Sequence, residues 1–135
     1  MEISFNNKEY TAPAPMAGLW FAIQKLKTEQ EKRVVEITKM WDELKSFEGK
    51  IDLDEAAINK LEEAMVNLNK KTETNKRILL ESKIKIIIDA FKNPNITQEI
   101  ILEYMPLQDV SQEYAKIENW LNNIVIGKMA DLPKV

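Results

Sequence analysis

The stretch ILLESKIKIIIDAF, residues 78–91, decides the fold. Ile84-Lys85-Ile86 alternates as a strand would, and isoleucine favours strands. The run is nevertheless 14 residues long and contains no Gly or Pro. Strands in globular proteins mostly stop sooner, so length argues for a helix. A helix that is apolar on most of its faces is a central, buried one. The rest of the chain is therefore read as elements packed around it.

Upstream, apolar residues follow a helical period from Pro15: Met16, Leu19, Trp20, Ile23 and Leu26. Proline suits the first turn of a helix. Lys27–Arg33 is wholly polar, and the period then resumes with Val34, Ile37, Met40, Trp41, Leu44 and Phe47. This is either one long helix or two helices bent near Thr28. Gly49 is a good stop. Asp52 followed by Glu55 reads as a capping box opening a helix with Leu53, Ala57, Ile58, Leu61, Met65 and Leu68. Asn69–Arg77 is nine polar residues, either a loop or an exposed part of a long helix.

Downstream, Asn93-Pro94-Asn95 breaks the chain. Asn95 or Thr97 caps a short helix with Ile100, Ile101 and Tyr104, which Pro106 closes. Asp109 with Gln112, or Ser111, caps a last helix that buries Tyr114, Ile117, Trp120, Leu121, Ile124 and Val125 and ends at Gly127. At the other end of the chain, Ile3 and Phe5 alternate with Ser4. Asn6-Asn7 tolerates the positive φ of a tight hairpin turn, and residues 8–12 return as a second strand. Pro13-Ala14-Pro15 ends the ladder.

The expectation is a mainly α fold: a small helical domain of five to six helices with a short N-terminal β-hairpin. The 135 residues form one domain, with a β appendage at 1–12, a helical body at 15–127 and a flexible tail at 128–135.

Composition narrows the chemistry. There is no Cys and no His. This removes disulfides, zinc fingers, iron–sulfur ligation, thiol nucleophiles and the commonest general base. Three scattered glycines form no phosphate-cradling loop. No apolar run approaches the ~18–20 residues that span a bilayer. The N-terminus lacks the basic and apolar regions of a secretory signal. Cytoplasm, no membrane partner, no metal and no cofactor are the expectations, and no catalytic residue is assigned. The 17 Lys against 2 Arg, with abundant Ile and Asn, fit an AT-rich genome.

Carboxylate pairs at Asp52-Asp54, Glu29-Glu31 and Glu62-Glu63 sit in strongly polar sequence and read as solvated faces. Asp52-Leu53-Asp54 begins like a calcium loop, but Ala57 stands where that loop needs glycine. Residues 69–85 are net +4 and residues 42–63 net −5. The basic segment, Lys70 to Lys85, supports an alternative reading as a small helical nucleic-acid-binding regulator. It lacks the aromatic interleaving of single-strand binders and the arginines of base readout. With a net charge of −3, the plainer account is a face that complements the acidic segment, and no nucleic acid is expected as a partner.

The aromatic and Met stripe is the stronger lead. Trp20 and Phe21 are adjacent, so their side chains point about 100° apart and cannot both face one core. Met40 and Trp41 repeat that arrangement. Together with Met16, these residues are the candidates for contacting a client or a second copy, since Met-rich apolar surface adapts to varied helices.

A β element with Phe5, then Lys8-Glu9-Tyr10-Thr11-Ala12-Pro13-Ala14-Pro15, then a helix carrying Leu19-Trp20, resembles the tail assembly chaperones of long-tailed phages of Gram-positive bacteria. From about Thr28 onward the likeness is one of character only: helical and Lys/Glu-rich. The resemblance implies a non-enzymatic partner of the tape measure protein, which keeps that long apolar helical protein soluble until tube subunits polymerise around it. It implies the host bacterial cytoplasm, absence from the mature virion, self-association into a homo-oligomer, and a longer frameshifted form in many members.

Overall fold

The structure is a computed structural model. It describes residues 1–47 and 54–130, with the side chains of 127–130 outside the description. The elements are β1 (Glu2–Phe5), β2 (Lys8–Thr11), α1 (Ala17–Lys45), α2 (Glu55–Phe91), α3 (Gln98–Tyr104) and α4 (Leu107–Ala130).

The hairpin forms as its sequence directs. β1 and β2 pair antiparallel with Ile3 opposite Tyr10 and Phe5 opposite Lys8. Asn6 and Asn7 both take positive φ, 53° and 58°. That backbone matches the twist of the flanking strands. Ile3 and Phe5 are buried, and the Phe5 ring stacks on Tyr10 at 5.2 Å. On the opposite face the Glu2 carboxyl lies against Glu9 and raises its pKa, through a hydrogen bond and like-charge repulsion.

The fold is mainly helical with an N-terminal hairpin, but there are four helices among the described residues where five to six were expected. Both polar stretches are helical. Lys27–Arg33 lies inside α1 and Asn69–Arg77 inside α2. Neither contains Gly or Pro, and Lys, Glu, Gln and Arg propagate a helix well. The expected stop at Gly49 and cap at Asp52 lie outside the described residues. Asp54 caps α2, its Oδ1 accepting from the Ala57 N–H at 2.7 Å.

The last helices also differ from expectation at their ends. Thr97 caps α3, its Oγ1 accepting from the Ile100 N–H. α4 opens at Leu107, directly after Pro106, whose carbonyl accepts from the Asp109 and Val110 N–H groups. Asp109 therefore sits in the first turn instead of capping it, where a carboxylate still complements the helix dipole. Gly127 does not end α4, which continues to Ala130.

The chain divides into two compact units, Lys27–Leu79 and the remainder from Met1 to Leu26 and from Leu80 on. Nineteen apolar side chains are buried among the described residues, and eighteen belong to the second-named unit. Its core gathers Ile3 and Phe5 from the hairpin, Leu19 and Ile23 from α1, Ile84, Ile87 and Phe91 from α2, Ile101 from α3 and Ile117 from α4. The segment 84–91 is thus the central one, as its composition requires. The unit Lys27–Leu79 buries Leu68 alone.

Candidate functional site

In the hairpin-bearing unit the start of α1 and the end of α4 enclose an open groove of about 300 Å³. Pro15, Met16, Ala17, Trp20 and Phe21 line one side, and Leu121, Ile124 and Val125 the other. No charged side chain lines it.

The groove follows from local geometry. Leu19 and Ile23 turn α1 into the core. Trp20, one step past Leu19, points about 100° aside and is half-buried, and Phe21, two steps from both Leu19 and Ile23, points away from the core and is 64% exposed. Their rings meet edge to face at 5.3 Å, an arrangement aromatic pairs favour. Met16 precedes the helix and is 62% exposed.

Three of the five candidate residues, Met16, Trp20 and Phe21, therefore come together. Met40 and Trp41 belong to the other unit, with Met40 half-buried and Trp41 53% exposed. The far wall of the groove is new. Ile124 and Val125 were expected in the core and are both exposed. A signal was present: Ile124-Val125-Ile126 is three apolar residues in a row, and a helix cannot turn all three to one side.

Three of the six cations of the basic segment make contacts within the chain. Lys71 Nζ donates to Glu36 Oε1 at 2.6 Å, which holds the Glu36 carboxyl below the usual carboxylate range. Lys76 pairs with Glu73 at 3.6 Å. Lys83 Nζ reaches Ser111 Oγ at 3.4 Å and lies 5.4 Å from the centre of the Tyr114 ring. Of these, the Lys71 pair brings in a carboxylate from outside the segment, whereas the contacts of Lys83 are to neutral groups.

No group of three or more acidic side chains among the described residues is placed to hold a metal ion. No helix among them is long and apolar enough to cross a membrane. No protein-family model, curated protein or solved structure matches the chain.

Proposed function

We propose that this protein is a tail assembly chaperone that holds apolar helices of a tape measure protein in solution. The observation that carries the reading is the open groove formed by Met16, Trp20, Phe21, Leu121, Ile124 and Val125, whose lining is mostly apolar. One side of it includes Trp20, one of the residues that carry the resemblance to that family. A volume of about 300 Å³ suits the apolar anchors of one amphipathic helix, the helix-in-groove mode of recognition. A soft Met and two aromatic rings suit clients that vary in sequence.

Binding of this kind is stoichiometric and needs no cofactor. The client helix exchanges water for the groove until tube subunits polymerise around it.

Co-expression with a tape measure protein is the test. The client stays soluble with this chain and precipitates without it. Phe21→Lys with Ile124→Lys places charge in the groove at two exposed positions, so the fold is retained. Loss of a central apolar anchor costs about 2 kcal/mol, so client binding weakens at least tenfold. A client equally soluble with and without the chain refutes the reading.

A further inference from the structure

The unit Lys27–Leu79 is two helical segments that lie side by side and antiparallel. Arg33 Nε donates to Asn75 Oδ1 at 2.9 Å, and Lys71 to Glu36. Residue 33 is therefore level with 75 and residue 36 with 71, which puts Trp41 level with about residue 66. Along the seam Ile37, Met40 and Leu44 face Leu61, Ala64 and Leu68, and only Leu68 is buried. Two helices with one seam make a single layer, whereas a stable core needs a second.

Four of the six exposed large apolar residues of this hairpin fall on one flank, while Val35 and Val66 point away from the seam. Val34 and Trp41 on α1 and Ile58 and Met65 on α2 are exposed at 48%, 53%, 42% and 50%. At 100° per residue each lies about 60–80° round from its own seam, on the side that is shared when the helices run antiparallel. Trp41 and Met65 sit at one level, and Val34 and Ile58 lie about 10 Å to either side of it.

Charge is divided along the same hairpin. Residues 40–47 and 54–63 carry six carboxylates and two lysines, a net of −4. Residues 27–39 and 70–79 carry eight cations and four carboxylates, a net of +4. A two-fold axis through the Trp41–Met65 level matches this pattern to itself.

We propose that the flank of Val34, Trp41, Ile58 and Met65 is covered by the same flank of a second copy, turned end for end, to give a four-helix layer. α1 packs on α1 and α2 on α2, each pair antiparallel. The two Met65 side chains meet at the axis, as do the two Trp41 rings. Acidic ends face basic ends, with Lys76 opposite the partner subunit's Glu55. A parallel pairing stacks like charge on like charge and is disfavoured. This proposal is independent of the client-binding groove, which lies in the other unit.

The chain has no Cys, so a single introduced thiol reports unambiguously. Under mild oxidation the full chain with Met65→Cys forms a disulfide-linked dimer. Ile58→Cys does not, because the end-for-end pairing separates it from its own copy by about 22 Å along the helices. Linkage of both, or of neither, overturns the proposal. Sedimentation gives a second readout on chains without thiols. Lys76→Glu weakens the dimer about tenfold by turning two exposed attractions into repulsions. Lys76→Glu with Glu55→Lys restores it. A chain that stays monomeric to its solubility limit, or a double variant as weak as the single one, overturns the proposal.

Discussion

Tyr114 shows how burial sets the chemistry of one side chain. It lies on α4 among core residues, 7% exposed, with Lys83 over its ring. Burial, and after it the neighbouring Glu118 carboxylate, push its hydroxyl up to about 12. In the unfolded chain a tyrosine ionises near 10. The folded pKa is the higher of the two, so its share of stability is complete below about pH 10 and is lost as pH rises toward 12. A spectrophotometric titration at 295 nm should show one late tyrosine step that coincides with unfolding and is absent in Tyr114→Phe. A Tyr114 step completed by pH 10 in the folded chain would contradict its burial. Single residues were legible in the sequence where simple angles decided them. Adjacent Trp20 and Phe21 could not share a core, and one is exposed. Gly18 lies in the first turn of α1, beside the buried Leu19. A Cβ added there meets nothing within 4 Å, so close packing is not its role.

The helices were legible as helices, and their lengths were not. Lys, Glu, Asn and Thr are common both in loops and on solvated helix faces, so the lack of Gly and Pro in the polar runs at 27–33 and 69–77 permits a helix without requiring one. The choice falls to contacts between residues 35 and 42 positions apart, Lys71 with Glu36 and Arg33 with Asn75. No periodicity reports such pairs. Continuity of α2 makes a direct prediction. Glu73→Pro removes a backbone hydrogen bond and crowds the preceding turn, costing about 3 kcal/mol or more. Urea unfolding measures this, and a loop at 69–77 would tolerate the change almost freely. At the helix ends, Asp109 and Gly127 had the right chemistry for cap and stop and serve as neither. Pro106 starts α4 first, and helical hydrogen bonding carries through a glycine at a cost of only about 1 kcal/mol.

At the scale of the whole molecule the apolar residues are unevenly spent. Eighteen of the nineteen buried ones serve one unit. The sequence showed apolar stripes of similar density on either side of Thr28 and Asn69, and nothing local distinguished a stripe with many neighbours from a stripe with one. That distinction is a property of topology, since the hairpin, α3 and α4 all pack within the unit that is not Lys27–Leu79. Local stability should follow. Amides of 31–45 and 57–75 should exchange with deuterium faster than those of 84–91 and 114–121 in dilute protein. Protection of the first set should rise with protein concentration if a second copy covers it. Equal, concentration-independent protection throughout would show that the lone seam suffices.

The exposed thioethers give the molecule a chemical consequence of its own. Without cysteine, methionine sulfur is its most oxidisable atom. Met16 in the groove and Met65 on the hairpin flank are open to solvent, while Met105 is 7% exposed. Peroxide would convert the first two to polar sulfoxides and spare the third. Oxidative damage would therefore leave the folded core intact and wet the two apolar faces, silencing contacts without unfolding the chain.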